Sequence, residues 1–149
     1  TCEASSNPPP CTPQKAPKFA QSAADMMQYA GRSIPTEDID WVMVYRADAN
    51  GFPQGAGGTL NSCNTDCVKY VWDSGLKKFR YSSGAWDSKS VNACINDAGR
   101  HTVGVAMQIS HHWLMGFKST PMQIRERSVM QLEPLNFSSC SPSSVSPHP

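Results

Sequence analysis

The sequence lacks any long hydrophobic run. No apolar stretch approaches the roughly 18 residues that a membrane-spanning helix needs, so no membrane partner is expected. An excess of either charge is lacking as well: 13 Lys+Arg stand against 12 Asp+Glu, a formal net charge of +1. A dedicated nucleic-acid binder is usually basic, so non-specific DNA binding through a charged surface is disfavoured. Several catalytic signatures are also missing. The run Gly55-Ala56-Gly57-Gly58 has no Lys and Ser/Thr where a Walker A phosphate loop needs them. No Gly-x-Ser-x-Gly nucleophile elbow occurs. Cys63 and Cys67 could supply half a zinc site, but no second close pair completes it, so neither metal nor other cofactor is expected. No internal repeat is visible.

What is present points to one small, disulfide-stabilised domain. With 149 residues the chain can build a single core. Cys2, Cys11, Cys63, Cys67, Cys94 and Cys140 make an even set, which favours disulfides over a cysteine nucleophile; their pairing is not readable from sequence. The chain opens at Thr1-Cys2 without a basic-then-apolar leader, as a mature secreted chain does. Asn136-Phe137-Ser138 is an N-glycosylation sequon on Asn136. Together these features favour secretion into an oxidising compartment.

Composition divides the chain into three parts. Residues 1–18 hold Pro8, Pro9, Pro10, Pro13 and Pro17, whose fixed φ angles and missing donors suit an extended segment. Residues 138–149 form a Ser/Pro-rich tail too polar to bury much surface. Residues 19–137 carry the folded body.

Within that body, the spacing of Phe19, Ala23, Met26, Met27 and Ala30 predicts a helix ending near Gly31, with the methionine pair filling the core. Ile39 to Arg46 reads as a buried strand rich in β-branched and aromatic residues, closed by the turn Ala49-Asn50-Gly51. Val68 to Asp73 and Lys78 to Tyr81 read as short strands around Ser74-Gly75. Thr102 to Ile109 reads as another, with Trp113 to Phe117 returning as its hairpin partner across His111-His112. Met122 to Leu132 suits a helix better than a strand. The sum is an α+β domain, a small sheet with flanking helices.

Three blocks, in order, carry a resemblance. They are Ile39-Asp40-Trp41-Val42-Met43-Val44-Tyr45-Arg46; Trp86 followed by Ile95-Asn96-Asp97-Ala98-Gly99; and His101-Thr102-Val103-Gly104-Val105 leading to Ser119-Thr120-Pro121. They resemble the first half of a deoxyribonuclease II-type protein, with its (V/I)-D-W-x-x-x-Y-K, W…I-N-x-x-x-G and H-T-K-G-V…S-x-P segments. The resemblance implies one half of a phospholipase D-like fold and a secreted or lysosomal location. It also implies metal-independent acid endonucleolysis of DNA through a phosphohistidine. Two halves of such a protein each give an H-x-K motif to one site. One histidine attacks phosphorus, the other protonates the leaving oxygen, and the lysines neutralise the phosphate. His101 is then the candidate nucleophile or general acid.

The sequence departs from that pattern at Val103, which stands where the motif has lysine. Loss of one preorganised cationic donor commonly costs on the order of a hundredfold in rate. No second H-x-K motif follows His111, His112 or His148. A homodimer or a separate half-domain could supply the other histidine, but two identical chains would bring two valines. Lys118, before Ser119-Thr120-Pro121, is a weak substitute contact to a phosphate; a solvated surface lysine is the plainer reading. Two function classes follow: a DNase II-like enzyme with impaired chemistry, or a non-catalytic secreted protein that keeps the half-fold and binds DNA or a host protein. A weaker similarity links Tyr45-Arg46-Ala47-Asp48 to secreted ADP-ribosyltransferase toxins, without their Ser-Thr-Ser strand or Glu-x-Glu motif.

Overall fold

A computed structural model describes residues 16–30, 34–87, 90–93, 99–111 and 121–132, with the side chains of 28–30 excepted. One α-helix, α1 (Lys18–Ala30), precedes a 3-10 turn at Thr36–Asp38 and five strands. The strands are β1 (Ile39–Arg46), β2 (Cys67–Asp73), β3 (Lys78–Ala85), β4 (Thr102–His111) and β5 (Met122–Gln131). They form one sheet in the order β3-β2-β1-β4-β5, antiparallel at every pairing. The fold is α+β.

β1 is central because it can be buried on both faces. Val42 and Val44 point to one side, while Trp41, Met43 and Tyr45 point to the other, and all five are buried. Each fully buried valine contributes roughly 1.5–3 kcal/mol of transfer free energy. On the first side, α1 lays Ala20 and Ala24 over a core of Val42, Val44, Val68, Tyr70, Phe79 and Trp86. Phe19 meets Trp86 edge-on, with ring centroids 5.1 Å apart. On the second side no helix is needed. Residues of the 47–63 connection cover the sheet, with Leu60 and Cys63 packed against Trp41, Met43, Tyr45 and Ala106.

The Cys63–Cys67 disulfide ties that connection to the first residue of β2. It needs Gly84 beside it: a Cβ there would stand 2.6 Å from the Cys63 sulfur, and the residue has φ +89°. At the far end of the β2–β3 hairpin, Asp73 accepts hydrogen bonds from the Gly75 and Leu76 N–H groups and from Arg80 at 2.9 Å. These bonds, led by that to Arg80, hold the Asp73 carboxyl below its ordinary range.

Two expectations need correction. Residues 122–131 are a strand rather than a helix, although Met, Gln, Arg and Glu all favour helix. β4 offers a ten-residue edge whose backbone groups need partners, and β5 pairs with it along its whole length. Tertiary pairing therefore overrides local propensity. The same pairing takes the edge of β4 assigned above to Trp113–Phe117, a segment outside the described residues. The second correction concerns Met26, which is 70% exposed while Met27 packs on the core. Among the described residues α1 is the one α-helix that flanks the sheet.

Candidate functional site

His101 lies one residue before β4 and is 6% exposed. Its backbone N–H donates to the Asn92 carbonyl at 2.9 Å, and its ring Nδ1 accepts from the Asn92 N–H at 3.4 Å. The second bond requires an Nδ1 that carries no proton. The imidazole thus helps pin the 90–93 segment to the start of β4. Val103, two residues on, is 3% exposed and belongs to the same buried core as Val44, Trp86 and Val91. A lysine at that position would point its ammonium into apolar packing. Gly104 pairs with Tyr45 across the β1–β4 ladder, and a Cβ on it would overlap the Tyr45 ring. Burial raises the pKa of the Tyr45 hydroxyl, which donates to the Gly51 carbonyl at 3.0 Å.

Asp40, in the first resemblance block, does more than start a strand. Its Oδ2 accepts from Gln108 at 2.6 Å and Ser110 at 2.7 Å, both on β4. Gln108 is itself buried and accepts from Arg125 Nε at 2.6 Å, and Arg125 reaches on to Asn61. This chain of bonds crosses β1, β4 and β5 and satisfies the buried amide. Trp41 is covered by Lys69, whose ammonium lies 4.9 Å from the ring. Arg46 is tied to Asp66, 3.4 Å away, which also accepts the Arg46 N–H through its carbonyl.

The open surface lies elsewhere. α1 packs chiefly against β1 and β3, and among the described residues no other element covers the β4–β5 flank on the same side. A cavity of about 420 Å³ occupies that flank. Met26, Met27, Met107 and Met130 line it together with Val105 and Ala23. Sequence reading missed this feature, and one signal for it was available. Met26 falls out of phase with Ala20 and Ala24, the residues that α1 buries most deeply.

No family model, curated protein or solved structure matches this chain. Lys118, Asn136, Cys2, Cys11, Cys94 and Cys140 lie outside the described residues, as do Ile95 to Ala98 and Ser119 to Thr120 of the resemblance blocks. His111 closes β4 and is exposed, at the opposite end of the strand from His101. Among the described residues no three metal-ligating side chains converge, and no helix is long and apolar enough to cross a membrane. Chemically, then, the motif histidine sits inside the fold, whereas the methionine-lined groove is open among the described residues.

Proposed function

We propose that this chain is a non-catalytic binding protein whose His101–Val105 strand serves as scaffold and whose groove between α1 and the β4–β5 flank takes the ligand. One observation carries the reading: His101 and Val103, the motif positions that nucleophilic chemistry would need at a phosphate, are 6% and 3% exposed. A phosphorus centre cannot approach an imidazole so enclosed without opening the fold. Secretion belongs to the same proposal, supported by a disulfide suited to an oxidising compartment. Descent from a DNase II-type half is part of it too and rests on the three sequence blocks alone.

The competing reading is metal-independent DNA cleavage, with a second copy or half-domain completing the site. Supercoiled plasmid incubated with the chain at about pH 5, where a histidine is largely protonated, separates the two when EDTA is present. The proposal expects no nicked circles. Nicking that disappears in His101→Ala would establish the nuclease instead.

A further inference from the structure

The two edges of the sheet are built differently. β3 pairs with β2 through a register shift between Lys69 and Tyr70, and it holds Gly84 at φ +89°. Irregularities of this kind turn an edge away from further pairing. β5 has none. Its ten residues pair with β4 in one unbroken register, from Thr102 opposite Gln131 to His111 opposite Met122. It contains no proline and no glycine, and among the described residues no strand adds beyond it. In an antiparallel ladder every second residue turns its N–H and C=O away from the neighbouring strand. β5 therefore presents a row of outward backbone groups along roughly 34 Å of chain. Its side chains add two further signals. All ten residues are exposed, and Met122, Ile124, Val129 and Met130 are four of the six large hydrophobic residues exposed among the described residues. Arg125 and Arg127 share one face, opposite to that of Glu126. Neither arginine meets a carboxylate among the described residues. Arg125 bonds Gln108 and Asn61, while Arg127 bonds the Asn50 carbonyl and lies over the Phe52 ring. Those contacts draw both guanidinium groups back toward β4 and the 47–63 connection. They leave the backbone edge clear and one face beside it positive.

We infer that the outer edge of β5 receives an extended strand of a partner protein, one that alternates acidic with apolar residues. Backbone pairing supplies the attachment, as in other cases of strand addition to a sheet edge. The acidic side chains fall on the face of Arg125 and Arg127, where opposite charges across a strand pair are favourable. The apolar side chains fall on the face of Ile124 and Met130, where Glu126 opposes further acid. A second copy of this chain suits the edge poorly. Twofold antiparallel pairing centred on Glu126 sets that residue against its own copy and Arg125 against Arg127. Centring on either arginine sets that arginine against itself, and like charges directly opposed are destabilising. Other centres shorten the ladder and leave both arginines without an acidic partner.

The test follows amide hydrogen exchange of the full chain, residue by residue, in low salt. The probe is a synthetic peptide of alternating valine and glutamate, about as long as β5. In the free chain, exchange along β5 should alternate, fast at the outward N–H groups and slow at those bonded to β4. Saturating peptide should slow the fast set by about tenfold or more and leave the amides of β3 unchanged. A valine–lysine peptide should bind about fivefold more weakly or worse, the size of two exposed charge pairs. Putting proline in place of each valine keeps the charge but prevents a ladder, and should abolish the protection. Equal binding of the lysine peptide overturns the acidic partner. Protection by the proline peptide, or by an oligothymidylate of equal charge, overturns strand addition in favour of a bare anion site. Outward amides already slow in the free chain, as when this chain or a second copy fills the edge, overturn the inference altogether. The groove and the nicking assay stand apart from all of these outcomes.

Discussion

Tyr45 and Gly104 face each other across the β1–β4 ladder so closely that no side chain fits between them. The glycine of the His101–Val105 stretch is therefore explained by packing: its missing Cβ makes room for a fully buried ring on the central strand. Gly104→Ala should force that ring aside and lower stability by about 1–3 kcal/mol or more, as overpacking does. Urea unfolding followed by tryptophan fluorescence measures it. An unchanged midpoint would show that the ring has room to move.

Tyr70 tests the opposite face. Its hydroxyl is fully enclosed and has no hydrogen-bond partner among the described residues, and burial pushes its pKa upward. An unsatisfied buried polar group costs on the order of 1–3 kcal/mol. Tyr70→Phe should leave stability equal or raise it by about 1 kcal/mol in the same unfolding experiment. A clear loss of stability would reveal an ordered water bonded to the hydroxyl.

Asp73 gives a pH dependence with a definite sign. Its carboxyl is held below its ordinary value of 3.8 by Arg80 and the hairpin N–H groups. A depressed carboxyl contributes stability that is fully present above the unfolded pKa and lost as pH falls through the folded one. The stability gap between the native chain and Asp73→Asn should hold constant from pH 7 to about 5 and shrink progressively below about 4. A gap that widens in acid would contradict the assigned hairpin bonds.

Much of this fold was legible because local and tertiary signals agree. β1 carries a β-branched and aromatic run, and Asp73-Ser74-Gly75 supplies the turn that the β2–β3 hairpin needs. β5 was not legible, since its residues favour helix and only the vacant edge of β4 makes it a strand. The site divides along similar lines. A motif such as H-x-K records residue identities but not the face on which they lie. Alternation does record it: His101, Val103 and Val105 fall on one side of an extended chain, and two valines mark that side as interior. The groove depends on where α1 stops covering the sheet, which no short window of sequence encodes. Met26 and Met130 come together across more than 100 positions of chain.

Val103→Lys offers the most direct measurement of whether this strand is scaffold or active site. The variant is to be compared with the native chain in thermal unfolding and in plasmid nicking at about pH 5 with EDTA. The scaffold account predicts a stability loss on the order of 3 kcal/mol or more, from an ammonium forced into the core, and no nicked circles. A variant that melts with the native chain and nicks plasmid would contradict it, placing position 103 beside a phosphate rather than in the core.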